Sequence, residues 1–155
     1  MAAPELTIES MPDMVGKELG ISSWITVDQA MIDRFAEATL DHQWIHVDVA
    51  RARAESPFAS TIAHGYLTLS LIPAMSYEIG AQPRNIAATL NYGLDKVRFL
   101  APVKAGSRLR MRSTLVSFEE KSPGQYLMKA SNTVEIEGEA RPALVAETLA
   151  LHIAA

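Results

Sequence analysis

The sequence contains no cysteine, which excludes a disulfide scaffold, a thiol nucleophile and a zinc-thiolate centre and suits a reducing cytosol. Basic charge is not in excess either. Fourteen Lys and Arg stand against 18 Asp and Glu, a formal net charge of −4, so no overall field draws nucleic acid or an anionic membrane surface. Long apolar runs are also missing. The most apolar stretch, 66–75, is much shorter than the roughly 20 residues of a spanning helix and contains Thr68, Ser70 and Pro73. The opening Met1-Ala2-Ala3-Pro4-Glu5-Leu6 has neither the basic nor the apolar region of a secretory signal. No repeat, low-complexity tract or Gly/Ser linker divides the 155 residues. The expectation is one soluble, cytoplasmic domain over 1–155, without membrane or nucleic-acid partners. With 48% hydrophobic residues it can bury a core unaided.

What is present changes period along the chain. After an extended entry at 19–25, Thr26-Val27-Asp28-Gln29 has the form of a capping box and predicts a helix to Thr39, with Val27, Met31, Ile32, Phe35 and Ala36 on its apolar face. Residues 40–63 lack a long period and hold one short helix candidate, capped by Asp48 and stopping before Pro57. A loop-rich segment of this length inside a compact domain points to function. His64-Gly65-Tyr66 then opens a helix to Ile79 that is apolar on nearly every side, so that protein must surround it. Pro73 removes one of its backbone bonds and predicts a kink or a late start. Strand patterns follow at 86–100, 107–119, 125–137 and 143–153, punctuated by Gly106, Pro123-Gly124 and Gly138. In the second, Leu109, Met111 and Leu115 alternate with Arg108, Arg110 and Arg112, giving one core face and one wet face. The fold class is α+β: an antiparallel sheet of about five strands wrapped around a central helix, with an additional helix and a loop-rich overhang before it. Such a sheet keeps an edge, which pairing across a two-fold removes, and a homodimer is expected.

Most chemistry-capable side chains fall at 41–48 and 64–66. His42 and His46 are spaced i, i+4 with Asp41 and Asp48 nearby, a pattern that on a helix can share a metal ion. No third ligand is evident and the stretch is not convincingly helical, so no metal is assigned. Residues five apart on a helix diverge, and Asp41 and His46 converge only if 40–47 is a shaped loop.

The run Phe35-Ala36-Glu37-Ala38-Thr39-Leu40-Asp41-His42-Gln43-Trp44-Ile45-His46-Val47-Asp48, followed by Ile62-Ala63-His64-Gly65-Tyr66, resembles the hydratase motif of the MaoC-like family. Asn91-Tyr92-Gly93-Leu94-Asp95-Lys96-Val97-Arg98-Phe99 and Ala101-Pro102-Val103 are similar to its first long strand and turn, and the NodN-like branch resembles this chain most. The resemblance implies a hot-dog fold and an (R)-specific enoyl-CoA hydratase/dehydratase. It implies Asp41 and His46 as the catalytic pair and the Gly65 amide as the group that polarises the thioester carbonyl. Where the family motif has Asn-Pro this chain has Gln43-Trp44, which bears on substrate range. Gln43, Trp44, His64 and Tyr66 are candidate substrate contacts, His64 reading first as the residue that fixes the helix entrance and Trp44 equally as core.

The implied reaction fits these residue types. Adding water across an enoyl thioester needs a base for water, an acid for C2 and a donor to the enolate oxygen. In one scheme Asp41 takes a proton from water while neutral His46 orients it and delivers a proton to C2, though sequence leaves the roles open. Coenzyme A or acyl carrier protein belongs to the substrate, and no cofactor is expected. The alternatives are a hot-dog thioesterase, a 3-hydroxyacyl-carrier-protein dehydratase and a silent acyl-binding subunit. Arg108, Arg110 and Arg112 read as a solvated face or as phosphate contacts, and His152 as packed or exposed.

Overall fold

The computed structural model describes residues 5–155. Six strands form one antiparallel sheet: β1 (Glu18–Ile21), β2 (Ile25–Val27), β3 (Ile86–Phe99), β4 (Ser107–Ser122), β5 (Gln125–Ile136) and β6 (Leu144–Ala154). Their order is β1-β4-β5-β6-β3, with β2 also paired to β4. The four long strands lie where alternation predicts them, and the expected single entry strand is two short ones laid end on end along β4. Leu109, Met111 and Leu115 on β4 are fully buried while Arg108 and Arg112 stay outside. At the β4–β5 hairpin Gly124 takes φ 74°, a left-handed conformation that a side chain disfavours.

The helices are α1 (Gln29–Thr39), α2 (Trp44–Val47), α3 (Val49–Glu55), α4 (Gly65–Ser70) and α5 (Ile72–Glu78). The cap of α1 and the number of short helices in 40–63 correct the sequence expectations, while the interruption at Pro73 follows them. The cap of α1 is Asp28, whose carboxylate accepts from the Met31 amide, because Thr26 is held in β2 opposite Arg108. Gln29 is therefore the first helical residue, with its side chain free for other work. The 40–63 segment holds two short helices rather than one, the second capped by Asp48 as predicted. The central helix is broken at Leu71 into α4 and α5, with Pro73 in the first turn of α5, where its missing amide costs nothing.

The inner sheet face and the central helices share one core built around Ile32, Leu67, Ile72, Met75, Leu109, Met111, Val134 and Leu144. The central helices are not surrounded on every side by this chain. Tyr66 and Tyr77 are 71% and 63% exposed, beside a β3 that also exposes Leu90, Tyr92, Leu94 and Phe99. β3 ends the sheet order, and its pairing with β6 slips at 86/88, 91/93 and 95/98, with Lys96 at φ 49°.

Candidate active site

The site begins where α1 stops. Leu40 turns left-handed at φ 65°, ending the helix and directing the chain into 41–43. Asp41 sits there half exposed, its Oδ1 accepting from the Gln43 amide at 3.3 Å. One turn of helix then carries His46 inward to 7% exposure. His46 meets the 61–63 segment, itself pinned to the β3–β4 connection by Ala63 N–H to Val103 O (2.7 Å) and Ala105 N–H to Thr61 O (3.0 Å). The Ile62 amide donates to Ile45 O at 3.0 Å, and His46 Nδ1 returns the bond to Ile62 O at 2.7 Å.

A carbonyl only accepts, so His46 Nδ1 carries the proton and Nε2 of the neutral ring keeps a lone pair. Burial is the largest influence on His46 and holds its pKa below the ordinary value, with the neighbouring His64 acting in the same direction. The Ile62 carbonyl and the Asp41 carboxylate oppose them. His46 is therefore neutral at pH 7 and able to accept a proton.

His64, also buried, belongs to the same cluster. Its Nε2 donates to the backbone carbonyl of Asp41 at 3.0 Å and lies 3.9 Å from Asp41 Oδ2, and its ring stacks on that of His46 with centroids 3.8 Å apart and planes at 24°. Ligand-type atoms of Asp41, His46 and His64 all lie within 4.8 Å of one another. An imidazole-bound ion sits in the ring plane about 2 Å from nitrogen. Rings stacked with centroids 3.8 Å apart and planes inclined by only 24° do not direct their in-plane lone pairs to one point close by, so the stack is poorly arranged for chelation. His42 does not join the cluster; it is exposed and lies 3.7 Å from Glu37, before α2 begins. The expected Asp41/His46 neighbourhood is thus present, with His64 as a third member.

Gly65 opens α4 immediately after His64, and as the first helical residue its amide has no acceptor within the helix. A Cβ built there would lie 3.1 Å from two carbons of the Phe99 ring, so close packing by itself accounts for glycine. Gly65, Ile62, Thr68, Phe99 and Pro102 border a half-open cavity of about 240 Å³, which neither Asp41 nor His46 lines.

A model of the MaoC like domain matches residues 10–137. The chain belongs to the MaoC-like dehydratase family. Nodulation protein N of Rhizobium leguminosarum bv. viciae is 50% identical over 147 residues, covering 95% of this chain and 91% of that protein. The 3-hydroxyacyl-thioester dehydratase Z of Mycobacterium tuberculosis is 46% identical over 151 residues, covering 96% and 99%. Among solved structures, an (R)-hydratase from A. caviae superposes with a TM-score of 0.69 at 21% identity over 88% of this chain and 94% of its own, a likeness of fold.

In this MaoC-like domain the remaining candidates are dispersed. Trp44 is half-buried under the Arg51 guanidinium, 4.2 Å from its ring centroid, and Arg51 is held in turn by Glu55. Gln43 is exposed. Tyr66 faces outward with its ring edge toward Phe99, 6.0 Å between centroids, on the Gly65 side of the site. Arg108 pairs with Glu137, Arg110 with Glu135, and Arg112 with Glu135 and Glu18, which supports the structural reading of that face. His64 was a candidate substrate contact and helix-entrance residue in the sequence, but its stacking on His46 and its bond to the Asp41 carbonyl were not legible there, because they join residues far apart in the chain.

Proposed function

We propose that this protein is an (R)-specific enoyl-thioester hydratase/dehydratase whose water is held and activated by Asp41 and His46. The observation that carries the reading is that His46, tethered through Nδ1 so that Nε2 keeps its lone pair, has a ring nitrogen within 4.8 Å of the Asp41 carboxylate. Two acceptors this close suit one water, which has two hydrogens to give. In this tautomer neutral His46 has no proton on Nε2 to donate, so the simple assignment of water to Asp41 and a separate proton to His46 is revised. The water oxygen bonds to C3, the C2=C3 π pair moves toward the thioester as an enolate, and the proton released to the pair is the one returned to C2. Elimination of water reverses these steps. The Gly65 amide is the proposed donor to the enolate oxygen. No metal or cofactor takes part, and the thiol carrier is coenzyme A or acyl carrier protein.

A thioesterase on this fold would commonly place its acid or base on the central helix. Glu78 stands at the end of α5, exposed and accepting from the Ser23 amide at 3.0 Å. The test is incubation with short trans-2-enoyl-CoA, following loss of the conjugated thioester absorbance and the configuration of the product. An (R)-3-hydroxyacyl thioester is expected; release of free coenzyme A without hydration would favour the thioesterase, and neither reaction a silent binding subunit.

Gly65→Ala probes the carbonyl site. Phe99 is 46% exposed and its ring can swing outward, so the fold is expected to survive with kcat/KM reduced at least about 10-fold. An unchanged kcat/KM would leave Gly65 with packing alone. A homodimer is proposed as well, on the open edge of β3 and the exposed apolar side chains beside it; solution mass at working concentration tests it. Among the described residues no helix is long and apolar enough to cross a membrane.

A further inference from the structure

The Gln29 side chain makes three bonds at once. Its Nε2 donates to the backbone carbonyl of His46 at 2.7 Å and to Asp33 Oδ1 at 2.9 Å, while its Oε1 accepts from the hydroxyl of Thr61, a residue 2% exposed. Both amide hydrogens and the amide oxygen are in use. The reversed amide would set oxygen against the His46 carbonyl and the Asp33 carboxylate, so the orientation is dictated by the partners.

We propose that Gln29 and Thr61 form a clamp that positions His46 for proton transfer. The imidazole is fixed by Ile62 O, which lies on the segment next to Thr61, and the backbone of His46 is fixed by Gln29, which holds Thr61. The four groups close a ring: Gln29 to His46, His46 to Ile62, Ile62 to its neighbour Thr61, and Thr61 back to Gln29. The ring sets the spacing between α2 and the 61–63 segment, on which the Nδ1–H bond and the freedom of Nε2 depend. Both are positioning residues, acting through His46. The kinetic part of the inference rests on the hydratase reading; the structural part does not.

Three variants and two readouts test it. Gln29→Glu keeps the shape but replaces two donors by oxygen, Thr61→Val removes only the hydroxyl, and Thr61→Ser restores it. With trans-2-enoyl-CoA, Gln29→Glu is expected to lower kcat about 10²-fold and Thr61→Val about 10-fold, with KM within roughly threefold and Thr61→Ser near the parent. Nitrogen-15 spectra of the imidazoles should show His46 as a single Nδ1–H tautomer in the parent and Thr61→Ser, and mixed tautomers in the other two. If His46 keeps one tautomer in every variant, or if Thr61→Ser fails to recover what Thr61→Val loses, the clamp is wrong. If the parent hydrates no enoyl thioester while the spectra change as described, the clamp stands and the hydratase reading falls.

Discussion

Asn in place of Asp41 is expected to lower kcat for enoyl-thioester hydration by roughly 10²–10⁴-fold while the protein melts near the parent temperature. The carboxylate is half exposed and accepts one long hydrogen bond, from the Gln43 amide, which an amide oxygen can accept as well. What Asn lacks is a negative oxygen able to share the proton of water. His46→Ala is expected to fall within the same range but is a less clean test. That ring is buried, and its removal leaves the Ile62 carbonyl without its partner and a gap beside His64, at a cost of about 1–3 kcal/mol in stability. Progress curves and thermal melts on the two variants separate the effects. An Asp41→Asn protein with parental kcat would remove Asp41 from the chemistry.

The second large effect is acid destabilisation. His152 on β6 is fully buried, and burial pushes its pKa down to about 4. The Thr89 hydroxyl donates to Gln82 Oε1, so His152 Nδ1–H donates to Thr89 Oγ1 at 2.9 Å, leaving Nε2 against Met128 Sδ at 3.3 Å. A thioether is a weak partner for a charged ring. In the unfolded chain this histidine titrates near 6.5. As pH falls below that value the unfolded state takes up a proton that the folded state refuses, so stability is full above about 6.5 and drops until about 4, where the folded protein also protonates. The shift from 6.5 to about 4 corresponds to about 3 kcal/mol at most, and the depressed His46 adds in the same direction. Urea unfolding at intervals from pH 7.5 to 4 should show the decline, flattened in His152→Leu. Equal slopes in both proteins would show that His152 does not carry it. The lowered carboxylates, Glu135 among them through its bonds to Arg110 and Arg112, act in the more acid range, as pH falls through their folded values.

The four long strands were legible because their side chains answer to one local rule, alternation, and because Gly106, Gly124 and Gly138 mark the turns. The Asp48 cap was legible for the same reason: a cap is decided within four residues. The start of α1 was not. Thr26-x-x-Gln29 and Asp28 offer competing caps, and pairing of Thr26 with Arg108, far along the chain on β4, decides between them. That choice also hid Gln29, whose pattern suggested a capping role while its partners are Asp33 one turn along α1, His46 on α2 and Thr61. Asp41, His46 and Gly65 were singled out as candidates through a motif, which preserves spacing. The stacking of His64 on His46 and the approach of Phe99 to Gly65 belong to tertiary packing, which spacing does not encode.

The irregular register of β3 bears on solubility. A long open strand with tyrosine and leucine on its surface is ordinarily a template on which any extended segment can grow. The register of β3 against β6 shifts at three places, and a bulge of that kind disrupts the regular ladder of amides and carbonyls that such growth requires. A flat strand of unrelated sequence finds only short stretches to pair with before the rows fall out of step. An edge interrupted in this way offers fewer consecutive pairing positions to a flat strand than to one that carries matching interruptions.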